Sequence, residues 1–411
     1  MQNWQRTLGR ALGIGAGIAA AGAAAGAAAL GIGGAALARV LVTPERAPGS
    51  AVTVARVERE GDRLVVVLRG AQATLPGRYS LLFDDGAGHA RVGAVLGVAD
   101  GAARREVLDV PRGTLRPGVE ARLTGWWFTE PEETGLRTER IEYPTELGPA
   151  EAWIIHPRRV RRAARGRWAV HVHGRGALPA ETLRGVAPLA RAGITSLVIS
   201  YRNDPGAPAG ERGRYGIGIA ESRDVDAALA EAVRRGAERI TLVGWSMGGT
   251  AVLRSATRGP FAAAVDGLVL DSPAIDWPEL LRHQAGLSRV PRPFAEVGIA
   301  LLDRDLVAAG EPGGLDFESI APERVAAALT VPALIHASRG DSFVPSSGAE
   351  RLAAARPDLV QLRLSEAGEH VKIWNTDPEG WEAATEAFVR ALPRPGWRGE
   401  LPERAWPAAK G

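Results

Sequence analysis

The residues of this chain best placed for covalent chemistry lie in Gly244-Trp245-Ser246-Met247-Gly248. A GxSxG pattern alone is weak, because it recurs by chance. Its surroundings sharpen it. An apolar, β-branched run, Ile240 to Val243, leads in, and a helix-like run, Gly249 to Arg258, leads out. Strand, sharp turn and helix with a serine at the apex form a nucleophile elbow. Such a turn holds the serine in a strained backbone conformation and lifts its hydroxyl above the strand end. The unpaired N–H groups at the helix start then face a developing oxyanion. A tight strand-to-helix turn with a bystander serine is the bland alternative.

A serine hydroxyl needs a base, and the base needs an orienting acid. Of seven histidines, His370 sits in Glu366-Ala367-Gly368-Glu369-His370, after the last expected strand and before the last expected helix. His171 falls inside a strand and His173 ends it. His336 lies within the strand before the candidate acid, His283 in a helical stretch, and His156 and His89 in turns, His89 as a solvated loop residue. His370 is therefore the candidate general base. Asp341, after strand Ala333–Ala337, is the candidate acid. Asp271, after strand Gly267–Leu270, competes with it, although Ser272-Pro273 beside it points to a turn-capping role. The order Ser246, Asp341, His370 suits a parallel sheet with its site at the strand ends. Two amides are candidates for the oxyanion hole. One is that of Met247. The other is that of Arg175, in His173-Gly174-Arg175-Gly176 after strand Trp168–Val172, where two glycines permit close approach of backbone to substrate. This set requires no cofactor and no metal.

The elements needed to position these residues are legible from about residue 138 to 395. Strand-like runs (Ala150–Ile155, Trp168–Val172, Thr195–Ser200, Ile240–Val243, Gly267–Leu270, Ala333–Ala337, Val360–Ser365) alternate with helix-like ones. The helical runs are Ala180–Ala192, Ile219–Arg235, Gly249–Arg258, Gly348–Ala355 and Trp381–Leu392. Alternation of this kind predicts an α/β fold, a mostly parallel sheet with helices on both faces and ligands at the carboxyl ends of the strands. Residues 274–330 are too long for a plain connection. With Trp277, Leu280, Leu281, Phe294, Leu301, Leu302 and Phe317 they predict a small helical lid.

Two segments precede this domain. Residues 43–137 carry short apolar or alternating runs (Ala51–Val57, Leu64–Leu68, Tyr79–Phe83, Val92–Val98, Arg104–Val110, Ala121–Phe128) between turn residues, which predicts a small β-rich domain. Residues 1–42 hold an uncharged Ala/Gly stretch, Ala11 to Ala38, preceded by Arg6 and Arg10 and followed by Arg39. Its length suits a membrane span, and the charge ahead of it predicts the N-terminus inside and the rest outside. A cleaved signal and a low-complexity arm are the rival readings. Localisation is thus expected as membrane-anchored, with the catalytic domain outside the cytoplasm, or secreted. Residues 396–411 read as a tail. The arginines 158, 159, 161, 162, 165 and 167 read as a solvated hairpin tip.

Composition bounds these readings. The chain has 411 residues, 45% of them apolar and 24% charged, with a formal charge of +3. A balance this even argues against nucleic acid as a partner. Without cysteine, disulfides, thiolate metal sites and cysteine nucleophiles are excluded.

Assembled, these residues resemble the α/β-hydrolase superfamily, in its prolyl-oligopeptidase-like and serine-aminopeptidase-like branch. The resemblance covers about Thr138 to Leu392. It rests on His173-Gly174-Arg175-Gly176, Gly244-Trp245-Ser246-Met247-Gly248-Gly249, Gly340-Asp341-Ser342-Phe343-Val344-Pro345 and Gly368-Glu369-His370. It implies an α/β-hydrolase fold and a serine hydrolase acting on carboxylic esters or thioesters of a small-molecule or lipid-like acyl substrate. A peptidase is the nearest alternative, with Glu221, Asp224 and Glu369 as candidate holders of a substrate amine. A membrane-tethered scaffold with a silent hydrolase fold is the alternative from another class. Two positions depart from the family pattern. Glu369 stands before the base where a small residue is commoner, and Arg175 is bulkier than the usual Asn or Gly.

Overall fold

The computed structural model describes residues 22–44, 50–160 and 164–392. Helix α1 (Gly22–Val42) is followed by six strands, β1 (Ser50–Glu60), β2 (Arg63–Arg69), β3 (Tyr79–Phe83), β4 (Gly88–Ala99), β5 (Ala102–Arg112) and β6 (Glu120–Thr124). These close into an antiparallel barrel in the order β1-β2-β5-β4-β3-β6. Closure removes the open edges that short strands otherwise expose. Period-two alternation fills the interior with residues such as Val52, Val54, Val66, Leu68 and Leu81. His89 differs from its expected place in a solvated loop. Asp84–Gly86 form a tight 3-10 turn, β4 resumes at Gly88, and His89 is buried with Nε2 2.8 Å from Ser80 Oγ.

The second domain is an eight-stranded sheet in the order β14-β13-β12-β11-β9-β10-β8-β7. Its strands are β7 (Arg137–Thr145), β8 (Gly148–His156), β9 (Arg167–Val172), β10 (Thr195–Ile199), β11 (Arg239–Trp245), β12 (Val265–Asp271), β13 (Ala333–Ser338) and β14 (Val360–Ser365). The hairpin β7–β8 is antiparallel, and β9 to β14 run parallel. Central strands are buried on both faces, as parallel strands must be. On β11, Ile240 and Leu242 join one core while Val243 and Trp245 join the other. The crossover helices are α2 (Val186–Arg191), α3 (Ser222–Arg234), α4 (Met247–Arg258), α5 (Trp277–Leu287), α6 (Arg292–Asp303), α7 (Pro322–Ala328), α8 (Ser347–Ala355), α9 (Ile373–Thr376) and α10 (Pro378–Ala391). The chain moves from β9 outward to β10, then back across to β11. That reversal opens a crevice between the carboxyl ends of β9 and β11.

The excursion 274–330 forms α5, α6, α7 and connecting turns. Trp277, Leu280, Leu281, Leu302 and Phe317 are buried in the larger core, and Phe294 and Leu301 pack against it. The arginine stretch is not uniformly solvated: Arg167 is buried beside Asp266, at 3.4 Å. Arg161 and Arg162 lie outside the described residues.

The membrane-span expectation finds no support in the described residues. Among the described residues no helix is long and apolar enough to cross a membrane. The second half of the stretch forms α1, whose Leu37, Ala38, Leu41 and Val42 are buried in the core of the second domain. The cause is composition. Alanine and glycine supply little transfer free energy, but their small size lets backbones approach. A Cβ on Gly34 would lie 2.6 Å from Val297 Cγ1 of α6. The first half of the stretch, and the tail 396–411, lie outside the described residues.

Candidate active site

The turn after β11 bends as the sequence demands. Ser246 has φ +51° and ψ −118°, a conformation that costs a non-glycine residue on the order of 1–3 kcal/mol. Its neighbours are glycines for steric reasons. A Cβ on Gly244 would lie 2.6 Å from Val252 Cγ2, and one on Gly248 would collide with Val172 O. The Ser246 amide donates to Asp271 O at 3.0 Å, and its carbonyl accepts from Gly249 and Ala274. The serine is held from three sides and is 6% exposed.

Adjacent register brings the partners in. β13 and β14 pair through Ser338↔Ser365, so the loops bearing Asp341 and His370 leave the sheet side by side. His370 Nε2 lies 2.8 Å from Ser246 Oγ, and His370 Nδ1 lies 2.8 Å from Asp341 Oδ2. An aspartate oxygen facing Nδ1 assigns the proton to that nitrogen, so Nε2 accepts from the serine hydroxyl. The other Asp341 oxygen accepts from the Phe343 and Val344 amides, both at 2.8 Å. Gln284 on α5 donates to the Ser342 and Phe343 carbonyls, which fixes the same loop from the excursion.

Asp271, the competing acid, is engaged elsewhere. Its Oδ2 accepts from Trp381 Nε1 at 2.8 Å and its Oδ1 from Ser272 Oγ at 3.1 Å. Burial pushes its carboxyl up to about 7, against the lowering pull of Arg184, Trp381 and Ser272. Ser272 Oγ in turn accepts from the Val371 amide at 3.1 Å, and Arg184 Nη1 donates to the Val371 carbonyl at 2.9 Å. Val371, next to His370, has φ +51°, which is rare for a β-branched residue. Arg184 and Val371 were not singled out from the sequence, and Ser272 was read there only as part of a turn beside Asp271.

The loop after β9 is equally built. Gly174 N donates to Glu181 Oε2 at 2.8 Å, and Gly176 N donates to Tyr215 Oη at 3.1 Å. A Cβ on Gly174 would stand 2.9 Å from Ser246 Cβ, so the loop and Ser246 touch. His173 belongs to this scaffold: Nε2 lies 2.8 Å from Asp204 Oδ2, and the ring stacks on Tyr201 at 4.2 Å. Burial alone would lower that imidazole, but the Asp204 carboxylate outweighs it and raises its pKa. His171 and His336 are pushed down to about 3 by burial and are neutral core residues.

The candidate amine holders are committed within the protein. Glu221 accepts from the Gly216 and Gly218 amides, Asp224 pairs with Arg202 at 2.6 Å, and Glu369 accepts from Ser342 Oγ at 2.7 Å. No cluster of metal-ligating side chains occurs among the described residues.

A family model described as the alpha/beta hydrolase family matches residues 169–409. That is more than half of the chain, which therefore belongs to the alpha/beta hydrolase family. A domain of unknown function, DUF8805, matches residues 53–124, the barrel. No curated protein matches the chain. Similar solved structures include the esterase Pf2001 of Pyrococcus furiosus, 16% identical with a TM-score of 0.48, the match covering 64% of this chain and 96% of that one. Est1E from Butyrivibrio proteoclasticus is 15% identical with a TM-score of 0.45, over 61% of this chain and 97% of its own. The acylaminoacyl peptidase of Pyrococcus horikoshii is 15% identical with a TM-score of 0.46, over 84% of this chain and 57% of its own.

Proposed function

We propose that this chain is a serine hydrolase of carboxylic esters or thioesters of small or lipid-like acyl groups. The observation that carries this reading is the hydrogen-bonded series Ser246–His370–Asp341 on a strained elbow at the carboxyl edge of a parallel sheet. Ser246 Oγ attacks the carbonyl carbon as its proton passes to His370 Nε2. Asp341 holds the imidazole and stabilises the imidazolium. The Met247 and Arg175 amides receive the oxyanion. Collapse expels the alcohol or thiol, which takes the proton from Nε2. Water then attacks the acyl-enzyme with His370 as base, and the carboxylic acid leaves.

An ester or thioester is preferred over a peptide because Glu221, Asp224 and Glu369 are spent on internal contacts. The excursion 274–330 serves in this reading as the lid, with Gln284 coupling it to the acid loop.

Covalent labelling of the full chain with a fluorophosphonate, beside a chain-length panel of esters and thioesters, tests the assignment. Ser246→Ala is expected to abolish labelling and to lower turnover by about 10⁴-fold or more. A folded wild-type protein that neither labels nor turns over would support the silent scaffold instead.

A further inference from the structure

Arg175 is the residue whose bulk departs from the family pattern, and its side chain leaves the site altogether. Nε donates to Leu41 O at 2.6 Å, and Nη2 donates to Val40 O at 2.7 Å and Thr43 O at 3.3 Å. Val40 and Leu41 lie in the last turn of α1, where a helix lacks internal partners for its last acceptors, and Thr43 follows directly after it. A second tie runs beside the first. Val42 O accepts from the Tyr215 amide at 2.7 Å, and Tyr215 Oη accepts from the Gly176 amide at 3.1 Å. The Arg175 guanidinium also lies 5.7 Å from the Tyr215 ring centroid. The helix end and the loop after β9 are thus joined directly through Arg175 and indirectly through Tyr215.

At its other face α1 is seated on α6 by close approach. Besides Gly34 against Val297, a Cβ on Gly298 would stand 2.9 Å from Gly34 O. A side chain larger than hydrogen at Gly34 would therefore push the helices apart.

The electrostatics give this contact a direction. The carboxyl end of a helix carries roughly half a negative charge, and here that end adjoins a loop meant to receive an oxyanion. A bare helix terminus would oppose the developing charge; a guanidinium bonded to its last carbonyls neutralises it. We propose that α1 is a working part of the active site: Arg175 grips its carboxyl end, and this grip positions the Arg175 amide that receives the oxyanion. The inference rests on the hydrolase reading above. It makes Arg175 a positioning residue through its side chain, and it makes turnover depend on a docked α1.

The test uses the full chain, with Arg175→Ala, Arg175→Lys and Gly34→Val. Arg175→Ala keeps the main-chain N–H but loses the grip. It is expected to lower kcat about 10- to 100-fold while KM stays within about twofold, the signature of an interaction made in the transition state. Arg175→Lys restores part of the loss. Gly34→Val wedges α1 from α6 without touching the loop, and gives the same split. Amide hydrogen exchange over residues 173–177 accelerates in both Arg175→Ala and Gly34→Val, a readout independent of turnover. Wild-type kcat in both variants would reduce the contact to a structural one and overturn the inference. Unchanged loop exchange in both would overturn it whatever the activity. A wild-type chain that does not label at Ser246 would fell the hydrolase reading and this inference with it.

Discussion

Val371 concentrates the geometry beside His370, the candidate base. Its left-handed backbone costs about 1–2 kcal/mol, and both of its backbone polar groups are held by side chains, Ser272 at the amide and Arg184 at the carbonyl. The same Asp271-Ser272 pair supports Ser246 through the Asp271 carbonyl, which accepts from the Ser246 amide. Two residues thus span the candidate nucleophile and the candidate base. Val371→Gly separates strain from positioning. Relief of about 1–2 kcal/mol is offset by roughly 0.5–1 kcal/mol of extra chain entropy in the unfolded state and by the lost packing of the Val371 side chain against the core it touches, so the melting temperature should barely move. A glycine there samples more conformations, and kcat should fall about tenfold with KM little changed. Equal kcat in variant and wild type would mean that His370 needs no such support. Asp271 adds a pH dependence. Its carboxyl, ordinarily near 3.8, sits at about 7 in the folded protein because it is buried. The native state therefore binds its proton more tightly than the unfolded chain does. The stability this gives is fully present below 3.8 and is lost as pH rises through about 7. Asp271→Asn has no proton to lose. Denaturant midpoints across that range should show wild type falling relative to the variant as pH rises. Parallel curves would show that Asp271 does not titrate there.

At the scale of elements, what could be read from sequence and what could not divide along physical lines. The parallel strands were legible because burial on both faces makes them short continuous apolar runs bounded by turns. Val360–Ser365 appears with those bounds, and Ala333–Ser338 one residue longer than its apolar run. The elbow and the loops bearing Asp341 and His370 were legible for a related reason: glycines mark the places where backbone must come close. Contacts between distant segments left no such mark. The Ala/Gly stretch has the length of a membrane span, and only its packing partner, α6, shows why α1 is so poor in large residues. Arg175 looked like an obstacle in its loop because the carbonyls it serves lie over 130 positions away. His89 was misread because one tight turn, Asp84–Gly86, decides whether the next residues are loop or strand.

For the whole molecule, the barrel is joined to the second domain just behind the candidate base. Asn375 is fully buried; its Nδ2 donates to Arg78 O at 2.8 Å and Gly125 O at 2.9 Å, and its Oδ1 accepts from Arg184 Nη1. Its carbonyl accepts from the Arg78 amide at 2.9 Å, and the Arg78 guanidinium lies 4.4 Å from the centroid of Trp374. On the barrel side, buried Arg105 braces the docking loop by donating to Ala73 O and Gly77 O, at 2.9 and 3.0 Å. Arg184 serves both ends of this arrangement, holding Asn375 and Val371 with one nitrogen. Barrel and sheet should therefore unfold together in a single calorimetric transition. Asn375→Ala would strand two buried carbonyls and one guanidinium N–H, a loss of about 3 kcal/mol or more. The expected trace has an earlier, separate barrel transition, and turnover declines at that temperature because Arg184 has lost a partner beside the base loop. Two transitions already present in the wild-type chain would mean that the domains are merely adjacent. A single unshifted transition in Asn375→Ala would place the coupling in the Arg78 and Trp374 contact instead.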